Sequence, residues 1–183
     1  YVLMDTFVIG RVYSQVDVTV PTSPTIPDDQ VVITENSYSD SNITITLTEY
    51  REHDTAIYVA DIHITDVQYL KAAFAKNSYG KNIKEKTSEM AQAHNAILAI
   101  NGDYYGSRDK GYVLRNGQLY RDKSGSDRED LVIWPDGSFG IAYERLTSAD
   151  SLLESGAWQV FSFGPALVKK GYISVDEDTE VGQ

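Results

Sequence analysis

The run "ILAINGDYYGSRDKGYVLRNGQLYRD", residues 97–122, places an amide (Asn101), a carboxylate (Asp103) and two phenols (Tyr104, Tyr105) directly behind a short apolar stretch. An amide donates and accepts hydrogen bonds, a carboxylate accepts them, and phenol rings stack on a sugar face while their hydroxyls bond to its own. Gly102 and Gly106 let the backbone approach a bound group closely. Arg108, Lys110 and Arg115 are the cations near this set. Such groups suit a saccharide, with Asn101 and Asp103 as the candidate chemical pair and Tyr104 and Tyr105 as the candidate sugar subsite. By composition alone, the same run also reads as an ordinary strand-to-hairpin loop, because Asn, Asp and Gly are turn formers.

Other chemistries find no support in the sequence. It lacks a Gly-rich phosphate loop ending in Lys and Ser or Thr, a G-x-S-x-G elbow and an H-E-x-x-H pair. His53 is expected in a turn, His94 near a helix end, and His63 on a strand face with Ile57, Val59 and Asp61. So dispersed a trio makes no metal site by sequence. Without cysteine there are no disulfides, no thiol catalysis and no thiolate metal ligands. Sixteen Lys+Arg against 27 Asp+Glu give a formal charge of -11. That surface repels phosphate backbones, and with no long basic run nucleic acid is not an expected partner.

The elements that position the loop can be read along the chain. The 183 residues are enough to bury a core. Val2, Leu3, Phe7, Val8, Ile9 and Val12 have roughly helical spacing but fall short of the ~20 apolar residues of a span. They read as a packed amphipathic segment or the tail of an upstream anchor. Pro21, Pro24 and Pro27 then favour an extended tether, so residues 1–30 are expected to be an N-terminal segment and residues 31–183 the globular part. Alternation of Ile43, Ile45 and Leu47 with threonines, and of Ala56, Tyr58, Ala60, Ile62 and Ile64, predicts a hairpin. Asn42-Ile43-Thr44 is a lone sequon, read as a strand-start Asn. Helices are expected over "DVQYLKAAFA", with Asp66 as N-cap and Val67, Leu70 and Phe74 on one stripe, and over "KTSEMAQAHNA", capped by Thr87 or Ser88. The apolar "ILAI" predicts a central strand leading into the candidate loop. Asn116-Gly117 and Pro135-Asp136-Gly137 predict two successive hairpins forming a meander. A short helix capped by Ser148, a strand at "WQVFSFG" and an arm turning at Gly171 follow. The fold class is therefore α+β, a mostly antiparallel twisted sheet with two or three helices.

"AINGDYYG", then the "GYVLRNGQLYRD" hairpin, then "SFGPALVKKG", resembles in that order the phosphodiester glycosidase family, whose animal member, the lysosomal uncovering enzyme, removes N-acetylglucosamine from a phosphodiester. The resemblance spans about residues 43 to 175. Asp103 stands where the family usually has the second glycine of an Asn-Gly-Gly motif. The family's later Asn-Pro-Arg-Thr-Ala-Ile-Gly and Asp-Gly-Gly-Gly-Ser-Ser blocks have no counterpart before Gln183. The resemblance thus implies the front portion of a domain completed by a further C-terminal portion, which activity would need.

What the resemblance implies is a hydrolase that cleaves a sugar from a sugar-phosphate diester on cell-surface or extracellular glycans. Asn101 would orient the sugar or the attacking water, and Asp103 would act as base or charge stabiliser. Tyr104 and Tyr105 would line the sugar subsite, with Arg108 and Arg115 as nearby cations. Ser162, Gly164 and Pro165 would form an opposing wall. No cofactor is assigned, and assistance by a divalent cation such as calcium is left open. The expected partners are the carbohydrate-phosphate substrate and the C-terminal remainder of the domain, either continuous or as an associated fragment. The expected location is extracellular or at the cell surface, with an upstream membrane anchor. The rival reading is a carbohydrate-binding or cell-wall-associated module without turnover.

Overall fold

In a computed structural model, residues 5–10, 31–125, 127–162 and 164–179 are described. The proline tether therefore lies outside the described residues. The chain divides into two compact units, residues 1–10 with 70–183 and residues 11–69. Strand β1 (Asp5–Gly10) belongs to the larger unit. Strands β2 (Val32–Ile33), β3 (Ser37–Ser39), β4 (Ile43–Glu52) and β5 (Thr55–Ile64) form an antiparallel sheet of that order in the smaller one.

The predicted hairpin is present as β4 and β5, which pair from Ile43↔Ile64 to Glu52↔Thr55. His53 and Asp54 turn it with φ of 48° and 58°, the left-handed pair that matches the twist of a two-residue hairpin. Tyr38, Ile43, Ile45 and Val67 are buried, whereas Tyr50, Ile57, Tyr58 and Val59 toward the turn are exposed. The sequon Asn42 accepts a hydrogen bond from Thr65 Oγ1 at 3.2 Å.

In the larger unit, β1 lies between β6 (Leu70–Phe74) and β7 (Ala96–Asn101), antiparallel to both. The helix expected over residues 66–75 is replaced by a 3-10 turn, Val67–Tyr69, leading into β6. Asp66 does cap, its Oδ1 accepting the Gln68 N–H at 2.8 Å. The helical spacing of Val67, Leu70 and Phe74 loses because Leu70–Phe74 finds backbone partners on β1, a long-range pairing that local periodicity does not report. Strand β7, expected to be central, is an edge of this three-stranded sheet among the described residues and is half-buried to exposed. The second helix is present as α1 (Thr87–Ala93), preceded by Lys86 rather than capped by Thr87 or Ser88; Glu89 accepts the Lys86 N–H. Met90 anchors it against Ala73 and Ala75.

The rest of the unit is a five-stranded antiparallel sheet. Its strands are β8 (Val113–Arg115), β9 (Gln118–Arg121), β10 (Glu129–Ile133), β11 (Phe139–Tyr143) and β12 (Gln159–Ser162), in the order β11-β10-β12-β8-β9. Both hairpins form, with Asn116 at φ 53° and Gly117 at 73° in the first. They do not make a simple meander, because β12 inserts between them. All four residues of β12 are buried, so it needs a partner on each edge for its backbone groups. Helix α2 (Ala149–Glu154) is capped by Ser148, whose Oγ accepts the Ser151 N–H at 3.2 Å. Tyr112, Leu114, Val132, Leu152 and Val160 form the core of this unit. A short hairpin of β13 (Val168–Lys169) and β14 (Tyr172–Ile173) follows, turning at Lys170 and Gly171. Every described strand pairing is antiparallel, which fits the α+β expectation with a small helical share.

Asn116 is among the side chains that join the two sheets of the larger unit, with Trp158 and Gln159, which donate to the Leu70 carbonyl. Asn116 Oδ1 accepts from the Ala72 N–H at 2.9 Å and from Gln159 Nε2 at 2.7 Å, and its Nδ2 donates to the Ala72 carbonyl at 2.8 Å. Asn116→Ala removes all three bonds and puts alanine, which tolerates a left-handed φ less well than asparagine, at φ 53°, and is expected to lower stability by about 2–3 kcal/mol in urea unfolding. Asn116→Gly, which is free of the φ cost, is expected to lose less.

Candidate functional site

The loop that follows β7 is held from inside. Asp103 and Arg115 form an ion pair at 2.8 Å with side chains 1% and 0% exposed. Asp103 Oδ1 also accepts the Tyr105 N–H at 3.3 Å, and Oδ2 accepts the Ser162 N–H at 3.0 Å. Arg115 Nη1 donates to the carbonyls of Leu114 and Val160, and its guanidinium lies 4.0 Å from the Phe161 ring centroid. The pair therefore ties the loop to β8 and β12 at once. Arg121 fixes the other side of the loop, donating to the carbonyls of Gly111, Tyr105 and Arg108.

A second charged group lies across β12. Asp130 of β10 stands opposite Ser162 in the ladder and is 0% exposed. Glu144, just past β11, is also buried. It accepts from the Tyr112 N–H at 3.2 Å, from the Gly125 N–H, and from the Ser162 hydroxyl at 3.5 Å. Burial first, and then the Glu144 charge, push Asp130 up to about 8, against the opposing pull of the Ser162 hydroxyl.

Outside this layer is a cavity of about 310 Å³ lined by Asp127, Arg128, Glu129, Ser162, Gly164 and Pro165, at the lower end of ligand-pocket volumes. Arg108 reaches the same strand end, its Nη1 donating to the Ser162 carbonyl at 2.9 Å and its guanidinium stacking 4.0 Å from the Tyr104 ring centroid. Burial, and next the like charge of Arg128, hold Arg108 below its ordinary value, with Tyr104 and Asp103 acting against them. Glu129 is braced by Lys169 at 2.6 Å and by the Ala166 N–H at 2.9 Å. Burial would raise its carboxyl, but those bonds hold it below the usual range.

The structure thus separates the residues singled out in sequence. Ser162, Gly164 and Pro165 line one cavity, and Arg108 and Tyr104 flank it through the Ser162 carbonyl. Asp103, expected as a base, is a buried anion committed to Arg115, and Arg115, expected as a substrate cation, is its fully buried partner. Tyr105, expected at the sugar subsite, is 3% exposed and stacks on Tyr79 at 5.3 Å within a group that includes Phe74. Asn101 is exposed at the end of β7 and is not among the cavity-lining residues. Arg128, Asp127, Asp130 and Glu144 escaped the sequence reading. A signal was there: "DRED" at residues 127–130 ends on an acid directly before the apolar "LVI". Among the described residues no group of three or more His, Asp or Glu is arranged to hold a metal ion. No helix among them is long and apolar enough to cross a membrane.

Removing one partner of the buried pair leaves an uncompensated charge. Asp103→Ala is therefore expected to cost about 3–5 kcal/mol in urea unfolding, with part of that recovered when Arg115→Met is added. Asp130 gives a different stability signature. Its folded-state value lies above the ordinary 3.8, so its contribution to stability is present at acidic pH and is lost as pH rises toward about 8. Asp130→Asn is expected to raise Tm relative to the native protein more at alkaline pH than at acidic pH, as read by calorimetry.

Residues 94–183 match the phosphodiester glycosidase family. Over 96 residues the chain is 30% identical to the SPbeta prophage-derived uncharacterized protein YomE of Bacillus subtilis (strain 168), an overlap of 50% of this chain and 15% of that protein. The chain thus spans only a small part of the length of that relative. No solved structure matches the chain. The segment that matches the phosphodiester glycosidase family, residues 94–183, carries the buried ion pair, the two buried acids and the cavity.

Proposed function

We propose that this chain supplies the phosphate-facing part of a hydrolase site that cleaves a sugar from a sugar-phosphate diester. The observation that carries this reading is the pairing of Arg128, in the cavity lining, with Arg108, bonded to the Ser162 carbonyl of the same wall. Two guanidiniums that disfavour each other can both be offset by one anion, and guanidinium matches phosphate oxygens geometrically.

Breaking the bond from the anomeric carbon to a phosphate oxygen develops positive charge on the ring and negative charge on the departing group. A phosphate leaves more readily than an alcohol, so stabilising the anion matters more than protonating it. Arg108 and Arg128 take that task. Asp127 and Glu129 place negative charge on the opposite requirement, the cationic ring. Tyr104 holds the Arg108 plane by stacking, and the Asp103–Arg115 pair holds the wall itself in place. Asn101, exposed beyond β7, remains a candidate for contact with the sugar or the attacking water.

The substrate is taken to be a cell-surface or extracellular glycan, the class that the resemblance carried by "AINGDYYG" and "SFGPALVKKG" implies.

The test is release of sugar from a sugar phosphodiester by the full-length protein. Arg128→Ala and Arg108→Ala are each expected to lower kcat/KM about 100-fold, the order of one lost anion-stabilising group, without loss of the folded state by circular dichroism. Native turnover in Arg128→Ala would overturn the assignment. Saturable glycan binding with no sugar released would favour the non-catalytic module instead.

A further inference from the structure

The sheet of the smaller unit ends on a long strand. Strand β5 has ten residues and lies last in the order β2-β3-β4-β5, with β4 as its ladder partner among the described residues. An outer strand presents a row of backbone donors and acceptors to whatever can pair with it, and proteins usually blunt such a row with proline, lysine or a bulge. Neither residue occurs in β5, and its register with β4 runs from Ile43↔Ile64 to Glu52↔Thr55 without a shift. Ile57, Tyr58, Val59 and Ile62 are exposed along it. The Thr65 N–H donates to the Asn42 carbonyl at 3.0 Å, which carries the same ladder one pair further. Backbone groups of successive strand residues point to opposite edges, so the odd-numbered residues of β5 bond to β4. The N–H and C=O groups of Ala56, Tyr58, Ala60, Ile62 and Ile64 therefore face the outer edge.

The only carboxylate and the only imidazole on β5, Asp61 and His63, flank Ile62 on one face of the sheet and are both exposed. Across the ladder they meet Thr46 and Thr44 of β4, which carry no charge. We propose that β5 pairs with β5 of a second copy of this chain, antiparallel, about a twofold axis through Ile62, so that two four-stranded sheets join into one. Only registers that set even-numbered residues opposite even-numbered ones bring the outward N–H and C=O groups together. Among these, an axis at Asp61 opposes two carboxylates, an axis at His63 opposes two imidazoles, and an axis at Ala60 puts Asp61 against Val59. The axis at Ile62 sets Asp61 of each copy opposite His63 of the other. Those are non-hydrogen-bonded positions, where facing residues are closest, with Cα atoms about 4.5 Å apart. An imidazole offers a ring N–H to a carboxylate whether or not it is charged, so the match holds in either state. Complementary partners at such positions stabilise a ladder and like charges destabilise it. Read backwards, the segment is its own complement, which is what an isologous interface requires. This inference concerns the smaller unit and does not depend on the hydrolase reading.

The test uses the full 183-residue chain. Sedimentation is expected to show a dimer that dissociates on dilution. Asp61→Lys sets two bases opposite each other and is expected to raise the dimer Kd about tenfold, and adding His63→Glu is expected to restore it. Ile62→Pro removes an outward N–H that β4 does not use. It is expected to abolish the dimer while circular dichroism keeps the strand signal. Because the chain has no cysteine, single introduced thiols report where the axis lies. Mild oxidation of Ile62→Cys is expected to give a disulfide-linked dimer, since hydrogen-bonded pairs have Cα atoms about 5.5 Å apart, within disulfide reach. Ala60→Cys and Asp61→Cys are expected to stay monomeric on the same non-reducing gel. A monomer at every concentration, a dimer that Asp61→Lys leaves unchanged, or preferential crosslinking of Ala60→Cys or Asp61→Cys would overturn the proposal. Should Ile62→Pro fail to fold, Asp61→Lys and its rescue by His63→Glu decide, and absence of rescue overturns the proposal.

Discussion

The ion pair between Asp103 and Arg115 is the constraint on which the site depends. Desolvating two opposite charges costs several kcal/mol per ion, and the pair repays this only when the remaining donors and acceptors are also satisfied. Here they are met by backbone: two N–H groups point at Asp103, and two carbonyls receive Arg115 Nη1. Those backbone groups come from the loop, from β8 and from β12, which are distant in sequence. The pair thus converts a local charge interaction into a fixed relation between a loop and two strands. Ser162 is held by its own N–H, and through its carbonyl it sets where Arg108 ends.

From that centre the charges alternate outward. The Asp103–Arg115 pair lies inside, the carboxyl groups of Asp130 and Glu144 lie behind the wall, and guanidiniums line the cavity side. The chain as a whole carries a formal charge of -11, an unfavourable field for an anionic ligand. Screening confines that field to about 8 Å at physiological ionic strength. The local pair of arginines therefore outweighs the global charge at short range, and composition alone underestimates what this surface can hold.

Where the sequence carries its own local signal, expectation and structure agree. The Asn116-Gly117 turn, the Ser148 cap and the β4–β5 alternation depend on backbone sterics or short-range periodicity and need no distant partner. The departures in strand content and strand order involve long-range pairing. Leu70–Phe74 satisfies a helical stripe yet becomes a strand because β1 lies beside it. Strand β12 breaks the expected meander because its buried residues demand two neighbours. The same limit governed the site: Asp103 looks like a free carboxylate until Arg115 and the Ser162 N–H are seen around it, and Asp130 looks like one more surface acid until its ladder position puts it behind Ser162.

Two glycines show how tightly the cavity wall is built. A Cβ on Gly125 would lie 2.5 Å from both Cδ and Nε of Arg128, and one on Gly111 would lie 3.1 Å from the Ser162 hydroxyl oxygen and 3.5 Å from Arg128 Cδ. Gly111 also sits at φ +97°, a conformation that side chains rarely adopt. The Arg128 stem passes through space that any other residue would fill, beside the Ser162 hydroxyl oxygen. Because the Gly125 N–H also donates to Glu144, the same short segment makes room for a cation at the cavity and binds a buried carboxyl group behind it. A guanidinium and a carboxyl group are thereby placed around one serine by backbone that carries no side chain of its own.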